Sequence, residues 1–245
     1  PAPTRSSTRG AEPDGDAVAR IAGLLARSSR PVLILGTDVW ADRAEEAALR
    51  FVEAVGIPTI TNGMGRGVIP GGHALLATKA RGQALGGADL VVVVGTPLDF
   101  RLGYGIFGGK DGGETAQVVH VADSPGQVSG HATLAASVSG DLTSVFDGLQ
   151  TALERGTKPD WTHWVAGLQD TVAAATARDL ELLQAEADPI HPARIYGELD
   201  LVTAQCVVDG VFDGLSAPQL AAVLSSLVFQ ARPTDGRRPV RMPDR

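Results

Sequence analysis

Residues Leu90 to Gly95 read LVVVVG, four consecutive valines between a leucine and a glycine. A short run that is apolar at every position and rich in β-branched residues predicts a strand covered on both faces, the condition of a parallel sheet. Parallel neighbours cannot be joined by a hairpin, because each needs a crossover that returns the chain to the same end of the sheet. The rest of the sequence supplies them. Pro31–Gly36 (PVLILG), Ile57–Thr61, Gln117–Ala122 (QVVHVA) and Ala135–Ser139 predict further strands. Between them, DAVARIAGLLARS from Asp16 puts Val18, Ile21, Leu24 and Leu25 on one helical face. Helices are also predicted over Asp42–Val55, Lys79–Gly86 and Leu142–Glu154, the last capped by Asp141. The alternation predicts an α/β fold: a doubly wound, Rossmann-like parallel sheet of five to six strands with a helical C-terminal extension.

Composition narrows the function classes. The 245 residues are 44% hydrophobic but only 4% aromatic, so the core must be built from Ala, Val and Leu. A net charge of −7 argues against a general grip on nucleic acid, which needs a basic face. The single cysteine, Cys206, excludes an internal disulfide and a cysteine-cluster metal site, and on its apolar stretch it reads as a small buried hydrophobe. No apolar run approaches a membrane span, and residues 1–15 lack the apolar segment of a secretory signal. A cytoplasmic setting is expected. Residues 1–15 read as a disordered linker cut from something longer, or as the start of a chain whose beginning is missing. The expected organisation continues with a sheet domain over 16–155, a linker and a further helical stretch over 156–199, a helical tail over 200–232 and a disordered end over 233–245.

Chemistry is expected at the carboxyl ends of the strands, where open α/β sheets bind ligands. Gly36 and Thr37 follow the first strand, and a glycine there lets backbone approach a phosphate. A plain strand-to-helix turn explains it equally well, and GTDVW lacks the second glycine of a dinucleotide fingerprint. Asn62–Gly67 (NGMGRG), with Gly63 and Met64, offers backbone amides for an anion nest or forms a crossover loop. Gly95 and Thr96 follow the valine strand. Arg101 has the fork that matches phosphate oxygens, unless it pairs with Asp99, and Arg81 is a weaker candidate. Asp123, after the fourth strand, suits a ribose hydroxyl or a helix cap. The five histidines show no metal spacing, and His120 reads as a satisfied residue of its strand. No serine sits in a nucleophile elbow.

Taken in order, RPVLILGTDVW, GIPTITNGMGRGVIP, ADLVVVVGTPLDFRLGYG, VVHVADSP and VSGDLTSVFDGL resemble the central domain of thiamine-diphosphate enzymes of the acetolactate synthase type. IHPARIYGEL resembles the opening of their third domain. The resemblance covers about residues 15–199 and implies a Rossmann-like, DHS-like scaffold domain. In that family this domain holds FAD without redox work, or ADP, or nothing, and the enzymes are homo-oligomers that join or decarboxylate 2-oxo acids. The resemblance also implies thiamine diphosphate and Mg²⁺ in the parent. Those are held by an activating glutamate of an N-terminal domain and by a Gly-Asp-Gly motif with a downstream Asn, none of which this sequence contains. KDGGE and VDGVFDG do not replace the motif.

The tail LVTAQCVVDGVFDGLSAPQLAAVLSSLVFQAR resembles instead the helical C-terminal domain of exosome-associated DExH RNA helicases, through Cys206, Gly210, Asp213, Gly214, Leu215, Pro218, Leu220, Leu224, Leu227, Val228 and Arg232. Both families place an Arg-Ile-Tyr-x-Glu-Leu run at the junction, here Arg194–Leu199, which suggests a chimera. The expectation is a fragment of an acetolactate synthase-like enzyme that keeps the nucleotide-binding scaffold and not the chemistry. The expected cofactor residues are Gly36, Thr37, Gly63, Met64, Gly95, Thr96, Arg101 and Asp123, and the expected partner is a small-molecule nucleotide. The alternative is a non-catalytic interaction module with an RNA-helicase-like C-terminal segment.

Overall fold

A computed structural model describes residues 10–109, 112–156 and 160–199. The chain forms two compact units, residues 1–175 and 176–245. The first unit carries five strands: β1 (Pro31–Leu35), β2 (Thr59–Thr61), β3 (Leu90–Val94), β4 (Gln117–Ala122) and β5 (Ala136–Ser139). They pair in the order β2-β1-β3-β4-β5, every neighbour parallel. β1 and β3 are adjacent and buried along their whole length. That is the environment demanded by PVLIL and LVVVV, since each fully buried Val or Leu contributes about 1.5–3 kcal/mol.

Alternate residues of the strands feed two cores. Leu33, Leu35, Val92, Val94, Val119 and Val121 pack against α1 (Gly15–Arg27), α3 (Glu45–Val55) and α5 (Leu142–Glu154). On this face Phe51 of α3 meets Phe146 of α5, ring centres 5.6 Å apart. Val32, Ile34, Val91, Val93 and Val118 face the opposite core. There they meet Ala84 of α4 (Arg81–Gly87), Leu168 of α6 (Thr162–Leu183) and Leu98, Leu102 and Phe107 of the segment after β3. The sheet is doubly wound as expected, with five strands. Trp161 and Trp164, beside and within α6, each donate an indole N–H to the β1 side of the unit: to Ser28 O at 2.9 Å and Pro31 O at 3.0 Å.

Three boundaries differ from the sequence reading. The helix expected from Asp42 is interrupted. A short α2 (Thr37–Ala41) ends at Asp42, Arg43 turns left-handed at φ 57°, and α3 begins only at Glu45. Asp42 is used elsewhere, its carboxylate accepting from Leu142 N at the start of α5 (3.1 Å). The expected linker over 1–15 is ordered where it is described. Ala11 O accepts from Asp141 N, the Asp14 side chain caps α1, and Gly15 is its first residue. The second strand is shorter than Ile57–Thr61, because Pro58 has no N–H to give the ladder.

In the second unit residues 192–199 are helical, with Arg194 paired to Glu198 at 2.6 Å and bonded to Gln184 O. The tail over 200–232, its Cys206, and the end over 233–245 lie outside the described residues. Among the described residues no helix is long and apolar enough to cross a membrane.

At the amino end of β3, Asp89 gathers the turn before β1. Its carboxylate accepts from Ser29 N (2.8 Å), Arg30 N (3.0 Å) and the Ser28 hydroxyl. Asp89→Ala leaves these donors to water and is expected to lower stability by about 2 kcal/mol, read from the urea midpoint with an unchanged slope.

Candidate functional site

In a parallel sheet of order 2-1-3-4-5, the chain leaves β1 and β3 toward opposite faces, which opens a crevice at their carboxyl ends. Gly36 and Gly95 are the first residues beyond those strands. Gly36 N donates to Val94 O at 2.8 Å and Gly95 N to Val121 O at 2.9 Å, so both amides continue the ladder. A Cβ on Gly36 would lie 2.3 Å from Gly95 O, and one on Gly95 2.9 Å from Asp38 Cβ with φ at +65°. The structure therefore accounts for both glycines by the contact of the two turns with each other. Gly36 meets its neighbouring turn, not open space.

The loop after β2 folds onto this contact. Asn62 N donates to Leu35 O (2.8 Å), its side-chain amide reaches Thr96 Oγ1 (3.5 Å), and Met64 N donates to Thr37 Oγ1 (3.3 Å). Gly36, Thr37, Gly63, Met64, Gly95 and Thr96 are thus brought together at one end of the sheet. Thr96 is buried, while Met64 is half exposed.

Arg101 follows β3 and Asp123 follows the neighbouring β4. Arg101 is held by its neighbour. Its Nε donates to both oxygens of Asp99 (3.2 and 3.0 Å) and its Nη2 to Oδ2 at 2.5 Å. The guanidinium holds the Asp99 carboxyl below the usual carboxylate range. This is the ion-pair alternative of the sequence reading. The fork of Arg101 is occupied, although the residue is exposed and lies over the Phe100 ring. Arg81, at the start of α4, donates to Arg101 O at 2.8 Å, and burial followed by the charge of Arg66 lowers its pKa. Three arginines thus serve the segments after β2 and β3.

Asp123 lies at the acidic end. Its carboxylate accepts from Gln127 Nε2 at 2.8 Å rather than capping the turn that follows, and it acts electrostatically on Asp38 and Asp42. Burial first, then the charges of Asp123 and Asp42, push the Asp38 carboxyl up to about 6. Burial likewise raises Asp42, opposed by the hydrogen bond from Leu142 N. The acidic side repels a phosphate, but its carboxylates can accept from hydroxyls. The arginine side has the opposite preference.

The sequence reading missed a pair of histidines beside this site. His120 Nε2 lies 3.1 Å from Thr96 O and its Nδ1 accepts from Ser129 N at 3.0 Å. His131 Nε2 lies 2.9 Å from Leu98 O. The strand position of His120 marked it as satisfied, but nothing in the sequence revealed that its partners are the two loops at the rim. Among the described residues no group of His, Cys, Asp and Glu has the arrangement to hold a metal ion.

Asp38→Asn separates the charge effects. A carboxyl raised to about 6 in the folded state costs stability that accrues as pH rises from its unfolded value near 3.8 through 6. The variant is expected to melt about 2–4 °C above the parent at pH 7.5 and level with it at pH 4, in thermal scans at the two pH values.

Residues 18–149 match the family described as thiamine pyrophosphate enzyme, central domain. Residues 191–244 match the DSHCT (NUC185) domain. The chain is 44% identical over 194 residues, 78% of its length, to the acetolactate synthase large subunit of Mycobacterium tuberculosis and to a probable acetolactate synthase of Mycobacterium bovis. It is 31% identical over 134 residues, 55% of its length, to oxalyl-CoA decarboxylase of Escherichia coli. The chain spans about a third of the length of the acetolactate synthases (33%) and 23% of the decarboxylase. A family match across most of the five-stranded unit, with motifs in the order the sheet requires, leads to one conclusion: this chain belongs to the thiamine pyrophosphate enzyme family through its central domain.

Proposed function

We propose that this chain is the nucleotide-holding scaffold of an acetolactate synthase-like enzyme and has no carboligase or decarboxylase activity by itself. The observation that carries the reading is the reversal of strand order between β1 and β3. It gathers Gly36, Thr37, Gly63, Met64, Gly95 and Thr96 at one end of the sheet, with arginines on the segments after β2 and β3 and carboxylates at Asp38 after β1 and Asp123 after β4. FAD and ADP both combine a diphosphate with ribose hydroxyls. Arg101, released from Asp99, and Arg81 suit the diphosphate, while Asp123 and Asp38 suit hydroxyl donors. The aromatic and apolar side chains exposed after β3, Phe100 and Tyr104, suit a flat ring. The phosphate contact must compete with an existing ion pair, so modest affinity is expected. The parent enzyme would act in the cytoplasm as a homo-oligomer on a 2-oxo acid, with thiamine diphosphate and Mg²⁺ held by segments other than those described.

A second reading has its own observation, the DSHCT match over 191–244. It makes the chain an interaction module with the sheet as platform. Residues 201–232 carry a single basic residue, Arg232, which disfavours an RNA grip by that stretch. Specific binding of single-stranded RNA by the whole chain at physiological salt would favour this second reading.

Two measurements test the first. Calorimetric titration with ADP and FAD is expected to give saturable binding that Arg101→Ala weakens about tenfold, the effect of one charge-assisted hydrogen bond. An unchanged affinity places the nucleotide elsewhere. Purified chain mixed with thiamine diphosphate, Mg²⁺ and pyruvate is expected to form no acetolactate or CO₂ above a protein-free blank. Turnover there refutes the scaffold reading.

A further inference from the structure

His120 lies on β4, between Val93 of β3 and Ser137 of β5, and is 1% exposed. Its two ring nitrogens serve two different loops. Nδ1 faces Ser129 N at 3.0 Å, and a backbone N–H can only donate, so Nδ1 must be unprotonated. The ring proton is then on Nε2, which donates to Thr96 O at 3.1 Å. His131 repeats the bridge one step further out. Its Nε2 donates to Leu98 O at 2.9 Å and its Nδ1 lies 3.2 Å from Ser129 Oγ. The Ser129 hydroxyl also accepts from Ala132 N at 3.4 Å. The two rings therefore pin the segment after β4 to the segment after β3 through Thr96, Leu98 and Ser129.

The two bridges answer a proton differently. If His131 gains one on Nδ1, the Ser129 hydroxyl can rotate and accept it, because a hydroxyl both donates and accepts. If His120 gains one on Nδ1, two donors face each other and the bond to Ser129 N is lost. The charged groups around His120 do not rescue it. β3 and β5 carry no ionisable residue. On the loop after β3, Asp99 and Arg101 bind each other, and at the end of β4 Asp123 is engaged by Gln127. His131 is the nearby group whose charge opposes a proton on His120.

We propose that His120 and His131 are positioning residues that lock the rim of the site at neutral pH, and that protonation of His120 frees Ser129 N and loosens the segment after β4, leaving the His131 bridge to Leu98 O in place. The consequence is a scaffold whose ligand-binding edge is ordered at neutral pH and loosened on acidification. Calling that edge ligand-binding rests on the nucleotide reading above, whereas the lock itself does not. Burial disfavours the charged ring, so the release falls below the ordinary imidazole range.

The lock is tested on the whole chain without ligand, by amide hydrogen exchange and by NMR of the imidazole nitrogens. Ser129 N–H is expected to be protected at pH 7.5. After correction for intrinsic exchange it should lose about tenfold of that protection by pH 5.0, in step with the His120 ring signal. Protection that stays level to pH 5.0 overturns the proposal. His120→Asn can offer Ser129 N–H an oxygen acceptor that does not titrate, so its Ser129 protection should be independent of pH. A pH dependence equal to that of the parent also overturns it. The parent measurement stands alone if that variant does not fold. An ADP titration at pH 7.5 and 5.0 separates the two readings. Weaker binding at pH 5.0 that His120→Asn removes supports the lock at the site. No binding at either pH refutes the nucleotide reading and leaves the exchange result to decide the lock.

Discussion

Everything at the functional end of this domain depends on how closely two strand ends approach one another. β1 and β3 are hydrogen-bonded neighbours for their full length, and the chain leaves them toward opposite faces. The turns that separate must first pass each other, and they do so with Gly36 against Gly95 O and Thr96. Any side chain on Gly36 would meet fixed backbone. The crevice, the loop after β2 that packs on it, and the placement of Thr37 beside Met64 N all follow from that contact.

Charge then divides the rim. Arginines 66, 81 and 101 belong to the segments after β2 and β3, while the charge of Asp123 raises Asp38 and Asp42, which follow β1. Burial and mutual repulsion keep Asp38 partly protonated near neutral pH, the expected response of carboxyls crowded out of water. The chain spans about a third of the length of the acetolactate synthases it resembles (33%).

The double match within one chain falls on two different units. The central-domain match ends at residue 149, and α5 closes the core on its face at Glu154. Trp161, Trp164 and Leu168 still belong to the packing of the first unit. The DSHCT match begins only at residue 191, in the second unit.

Apolar periodicity alone located all five strands and most helices, because strands buried on both faces cannot be written any other way in residue types. LVVVV and PVLIL carried the parallel sheet. Three features depended on tertiary structure. Asp42 was read as helical because its neighbours are, but it ends α2 and accepts from Leu142 N, a partner a hundred residues away. Arg101 offered a fork for phosphate, and only the folded loop shows that Asp99 occupies it. His120 gave its strand position away but not its purpose. The partners of its two nitrogens lie on two separate loops, and hydrogen bonds between distant segments leave no periodic trace in the sequence. Sequence sets which surfaces must be buried, because burial acts on residue type. Which polar group meets which is decided only when crossovers of fixed hand bring the loops to one edge.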